Sequence, residues 1–111
     1  MALSIALCNC PSLEAATALA SGVVERHLAA CVNIIPAVAS VYRWEGRMVS
    51  ETESTLVIKT TRECIPALKA FIEKAHPYDT PELIFLDVTD GLPAYLAWVA
   101  AESKPPFGEP M

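Results

Sequence analysis

The chain has 111 residues, 53% of them hydrophobic and 19% charged, with a net charge of -5. That length suits one domain with a real core and not two. The acidic balance argues against nucleic acid or an anionic membrane as the main partner, and no apolar run approaches the roughly 20 residues of a spanning helix. So high an apolar fraction predicts that part of the surface is buried against other copies of the chain. The N-terminal MALSIALCNC has no basic residue ahead of its apolar run, so a secretory leader is not expected and the chain reads as cytoplasmic. The cysteines are Cys8, Cys10, Cys31 and Cys64. With no CxxC pair among them, a structural zinc site has little support, and reduced thiols are expected.

Residues 3–9 alternate large with small or polar side chains, as a half-buried strand does. Pro11 and Ser12 stop it, and Ser12 suits an N-cap. Apolar residues then recur at helical spacing, which predicts a helix to about residue 30. Residues 31–44 are rich in Val, Ile and aromatics, a long strand bent near Pro36 and Ala37. A turn at 45–47 and a return strand at 55–60 complete a hairpin. Thr60 and Glu63 have the spacing of a capping box, and a second helix runs from there to His76. Proline at 77 ends it, because the residue before a proline avoids helical geometry. A last strand over 83–88 is followed by Asp90-Gly91 and a short third helix, with Pro93 near its start and Leu92, Leu96 and Val99 inward. Residues 1–103 form the predicted domain, and 104–111, KPPFGEPM, a mobile tail.

The order β-α-β-β-α-β is the ferredoxin-like α+β plan. Right-handed crossovers give an antiparallel sheet in the order 4-1-3-2. In that sheet the end of strand 1 meets the start of strand 4. Cys8, with Cys10 near it, therefore approaches the loop that carries His76, Asp79 and Glu82. Thiolate and imidazole are soft-to-borderline donors suited to Cu(I), Cu(II) or Zn(II). The plain alternative is a histidine at a helix C-terminus and a small core cysteine. A cysteine hydrolase has no support, because no Gly-rich oxyanion loop accompanies the pair. His27 and Cys64 read as boundary or surface residues. Lys59, on a central strand, either snorkels or lines a cleft. Tyr42, Trp44, Tyr78 and Trp98 suggest an interface or cleft. Cys31 begins strand 2 at the far end of the sheet, out of reach of His76 within one chain.

The segment ERHLAACVNIIPAVASVYRWEG, residues 25–46, closely resembles the CutA divalent-ion tolerance family. The likeness continues through LVIKTTRE (56–63), AHPYDTPELI (75–84) and GLPAYLAW (91–98). It implies a ferredoxin-like homotrimer linked to tolerance of copper and other divalent cations. It also implies a copper site on Cys8 and His76, matching the cysteine and the HPY histidine of some members. Some members carry a second histidine where this chain has Ala75. By analogy with trimeric nitrogen-regulatory signal proteins, an intersubunit cleft would involve Cys31, Tyr42, Trp44, Lys59, Tyr78 and Glu82. The reading that follows is a metal-binding tolerance protein, not an enzyme, whose partners are itself and metal ions. A small-molecule signalling module and a scaffold trimer are the alternatives.

Overall fold

The computed structural model describes residues 2–105. The elements are β1 (Leu3–Cys10), α1 (Leu13–Glu25), β2 (Cys31–Trp44), β3 (Arg47–Thr61), a 3-10 turn (Arg62–Cys64), α2 (Ile65–Ala75), β4 (Ile84–Asp87) and α3 (Pro93–Glu102). The strands form one antiparallel sheet in the order β2-β3-β1-β4, as the crossover rule required. Even-numbered residues of β1, Ala6, Cys8 and Cys10, join Leu56 and Ile58 of β3 in the main core. Ala16, Leu19 and Val23 of α1 and Leu68 and Ile72 of α2 close over them. The odd-numbered residues look out from the other face, which no helix among the described residues covers along most of its length. Only at its far end does α3 pack Val99 against Leu3 and Ala30.

α1 ends at Glu25, five residues before the expected end. The Leu28 N–H bonds the Val23 carbonyl and the His27 N–H that of Val24, both at 3.0 Å. Between them His27 turns left-handed, with φ 59°. This is a Schellman closure built without glycine, and buried Leu28 and Val23 supply its apolar contact. Ser12 does cap the helix, accepting from the Ala15 N–H at 3.1 Å.

β3 starts at Arg47, well before the expected residue 55. Its first half, RMVSETES, is too polar to read as a buried strand. It pairs nonetheless, because Glu45 and Gly46 both take left-handed φ (49° and 79°). Such a two-residue turn matches the strand twist and fixes the register. A bulge interrupts the ladder where Ile35 pairs with Thr55 and Val38 with Glu53. β2 advances three residues there and β3 two, so the parity of β2 switches. Tyr42 and Trp44 consequently share the open face with Cys31, Asn33 and Ile35. Ala37, at φ 58°, absorbs the extra residue.

The capping box at Thr60 does not form. Thr60 Oγ1 donates instead to the buried Leu28 carbonyl at 2.7 Å, and the chain enters α2 through the 3-10 turn, with Pro66 in the first turn. β4 is one residue shorter at each end than expected. Leu92 is not inward. It is the extended cap of α3, 78% exposed, and so lies off the stripe that carries Leu96 and Val99. Cys64 is not a surface residue either: it is fully buried at the start of α2. Of the predicted tail, Lys104 donates its N–H to the His27 carbonyl at 2.8 Å; residues 106–111 lie outside the described part.

Candidate metal centre

A strand sends alternate side chains to opposite faces. Cys8 and Cys10 therefore point the same way, into the core, and both are fully buried. His76 arrives from the C-terminus of α2, where an extended backbone (φ -74°, ψ 140°) ends the helix as the following proline demands. The imidazole is 7% exposed. Its Nε2 lies 3.8 Å from Cys10 Sγ, and the donor atoms of Cys8, Cys10 and His76 all lie within 4.8 Å of one another. Two donors held by one ion at about 2.0–2.3 Å stand about 3.5–4 Å apart. The three residues thus fit a small thiophilic ion after a modest closure. Cys10 is the sulfur in contact with the ring, a partner more direct than Cys8.

The hydrogen bonds of His76 fix its tautomer. The Tyr78 N–H donates to Nδ1 at 3.1 Å, so the ring proton sits on Nε2. That proton is donated to the Asn9 carbonyl at 2.7 Å. Both nitrogens are engaged by the backbone. The two sulfurs lie within 4.8 Å of each other. The Cys10 sulfur beside it, then burial, then the nearby carboxylates push the Cys8 thiol well above the ordinary range. Cys10, whose thiolate would accept from Cys8, moves below it although burial opposes the shift.

Asn9 lies between the two cysteines and faces the other way. Its Nδ2 donates to Glu82 at 3.1 Å and to Glu53 at 3.4 Å, and its Oδ1 accepts from Thr55 at 2.7 Å. Tyr78 reaches the same place, its hydroxyl donating to Glu53 at 2.9 Å. Around them opens a cavity of about 480 Å³, walled by Tyr42, Trp44, Glu51, Asp79 and Glu82 among others. The Tyr42 hydroxyl donates to Glu51 at 2.6 Å, and that bond holds its proton, pushing the phenol up to about 12. Tyr78 moves upward too, through burial first and then its bond to Glu53.

The residues expected in one cleft therefore divide in two within the chain. Tyr42, Trp44, Tyr78 and Glu82 wall the cavity together. Cys31 and Lys59 sit at the far end of the open face, where the Lys59 ammonium donates to Asn33 and approaches Cys31 Sγ at 4.0 Å. Cys31 pairs with Lys59 and Cys10 with Ser54. Five residues of β3 therefore separate Cys31 from the His76 end, about 17 Å at strand rise. Asp79 and Glu82 belong to the cavity rather than to the thiols. Asn9, Glu51 and Glu53 were not singled out from the sequence. The parity switch at Pro36–Ala37, followed along the hairpin register, is the signal that finds the two glutamates.

The geometry can be set against known proteins. The family profile described as CutA1 divalent ion tolerance protein matches residues 4–102. Protein CutA of Mus musculus is 43% identical over 97 residues, 87% of this chain and 55% of that protein, so the chain spans about half of that relative's length. The divalent-cation tolerance protein CutA of Thermus thermophilus is 42% identical over 95 residues, 86% of this chain and 92% of that one. A solved divalent cation tolerance protein (Cut A1), also from Thermus thermophilus, superposes with a TM-score of 0.90 at 39% identity, covering 92% of this chain and 99% of that one. The PII-like protein CutA of Nostoc sp. PCC 7120, solved in apo form, gives 0.85 at 39% identity, covering 91% and 97%. Likeness on this scale extends from β1 to α3 and takes in both Cys8 and His76, so the chain belongs to the CutA1 divalent ion tolerance protein family.

Proposed function

We propose that this divalent-ion tolerance protein acts by binding copper on Cys8, Cys10 and His76, as a cytoplasmic homotrimer without catalytic activity. The convergence of two sulfurs and one ring nitrogen within 4.8 Å carries the reading. Two thiolates and an imidazole are a soft set, which favours Cu(I) among biological ions and can also take Zn(II).

The residues around the donors determine what uptake costs. His76 must give up its bond to the Asn9 carbonyl, and its ring proton must leave Nε2. If the proton moves to Nδ1, the Tyr78 N–H loses its acceptor. Each bond is worth about 0.5–1.5 kcal/mol net, far less than metal–thiolate binding supplies. The cysteines are the anchors, and His76 couples the site to the HPY turn. With both ring nitrogens already engaged, His76 has no free lone pair to act as a general base beside Cys10, which favours binding over hydrolysis.

Assembly draws its support from the face that helices leave uncovered. Ile35, Ile84 and Leu86 are each about half exposed there, and exposed apolar residues grouped on one face mark an interaction surface. Four free thiols suit a reducing compartment.

Anaerobic competition titration with Cu(I) tests the site. Cys8→Ala and His76→Ala should each weaken binding at least about tenfold, about 1.4 kcal/mol. The Tyr78 amide resonance of the natural chain should shift on loading. Unchanged affinity in both variants would refute the site.

A further inference from the structure

The cavity on the opposite side of β1 has a charge that nothing among the described residues balances. Glu51, Glu53, Asp79 and Glu82 line it, and no Lys, Arg or His does. Glu53 is only 6% exposed. Its oxygens receive a tyrosine hydroxyl and an amide, both neutral donors. A carboxylate taken so far out of water is ordinarily matched by a cation. Glu82 registers the imbalance: burial and then the Glu53 charge raise its pKa above 4.5.

Two features say which kind of cation fits. Among the described residues, the one convergent set of three or more metal-donating groups is the Cys8–Cys10–His76 cluster. The carboxylates of the cavity are spread along its walls and do not close on one point, so a bare metal ion has no cage there. The rest of the wall includes three aromatic rings, Tyr42, Trp44 and Tyr78, beside Asn9, Pro77 and Thr80. Ring faces beside carboxylates attract organic ammonium ions, whose methylenes pack on the rings while the charged ends meet oxygens. A volume of about 480 Å³ lies within the range of small-molecule sites, about 300–1,000 Å³.

We propose that this cavity is a binding site for aliphatic diamines and polyamines in their protonated form. Glu53 holds one ammonium at the inner end. Glu51, Asp79 and Glu82 meet the others toward the mouth, and Trp44 and Tyr42 cover the chain between them. The proposal does not depend on the metal reading, because the donors lie on the other side of the strand.

Calorimetric titration of the assembled, metal-free protein with 1,4-diaminobutane tests it, with potassium chloride at matched ionic strength and 1,4-butanediol as the uncharged control. Saturable binding of one diamine per chain is expected, with none for the diol. Glu53→Gln and Trp44→Ala should each weaken it about tenfold or more. Glu82→Gln, an exposed change that spares the core, should weaken it less, and Cys10→Ala should leave it unchanged. Absence of saturable diamine binding at millimolar concentration overturns the proposal, and would mean that a second copy or solvent meets the charge. Equal binding of the diol, or full diamine affinity in Glu53→Gln and Glu82→Gln variants with natural melting curves, overturns it as well.

Discussion

The two sides of the last residues of β1 differ as much as two parts of one small protein can. On the helix side Cys8 and Cys10 are dry, packed among Leu56, Leu68 and Ile72, and offer sulfur. On the open side Asn9 lies among Glu53, Glu82 and Thr55 and offers oxygen and amide groups. No loop separates the two chemistries; a strand's two-residue period does. They meet through one residue pair. His76 takes the Asn9 carbonyl on one side, and Tyr78, bonded to the His76 ring through its N–H, reaches Glu53 on the other. Strand alternation thus separates the donor atoms of a soft site from those of a charged one, while a turn of three residues and the field of Glu82 and Glu53 at Cys8 keep the two coupled.

The faces should first separate in stability. Leu56 is fully buried opposite Cys8. Leu56→Ala should cost about 2–5 kcal/mol, the usual range for a leucine truncated in a packed core, read from urea unfolding. Leu86→Ala, on the uncovered face, should barely change the unfolding of a dissociated chain. It should weaken self-association, seen as a lighter species in sedimentation at low concentration. If Leu86→Ala instead destabilised the dissociated chain as much as Leu56→Ala, the open face would already be buried within the monomer.

The next largest effect concerns ligands. Cys10→Ala should lower Cu(I) affinity about a hundredfold, about 2.8 kcal/mol, because it removes the sulfur nearest His76. Asn9→Ala, one residue away, leaves the backbone carbonyl that His76 uses and should leave copper affinity within about 0.5 kcal/mol of the natural chain. Comparable losses from both substitutions would mean that the strand does not insulate its two sides.

Much of this was legible beforehand. Strand order follows from chain order and the handedness of crossovers, so the meeting of β1 with the His76 loop could be deduced with no contact known. The domain's family could be read from long matched stretches. The rest failed for identifiable reasons. The end of α1 depends on His27 turning left-handed, which its residue type did not advertise, and the first half of β3 is polar because it belongs to an arm beyond the helices. Glu53 and Tyr42 share a wall only because a bulge at Pro36–Ala37 switches strand parity; the sequence showed a bend there, not its consequence. The grouping of Lys59 and Cys31 with Trp44 is a different case: it came from fold analogy and concerns a cleft between subunits, so their separation along β3 within one chain does not bear on it.

A smaller effect reports on the oxygen side alone. Asn9→Ala removes an amide that bonds two glutamates and a threonine hydroxyl. Asn9, Thr55 and Glu82 are partly exposed, so the loss should be about 1 kcal/mol in urea unfolding. Tyr78→Phe should cost a similar amount through Glu53, while its backbone N–H continues to hold the His76 ring.

The smallest effect has a definite sign. Glu82 titrates higher in the folded chain than its ordinary 4.5, so between those two values the folded state holds a proton that the unfolded state has released. The associated stability is complete below 4.5 and declines as pH rises through the folded value. Glu82→Gln should flatten that decline, measured as urea midpoints from pH 4 to neutrality in the absence of amines, and the gain should be modest because the side chain is largely exposed. Cys8→Ala should leave the slope in place, because the Cys8 thiol is shifted upward, away from the acid range. A slope that vanished in Cys8→Ala and persisted in Glu82→Gln would reverse the assignment of the two sides: the proton linkage would then run through the buried thiols, with His76 as its relay.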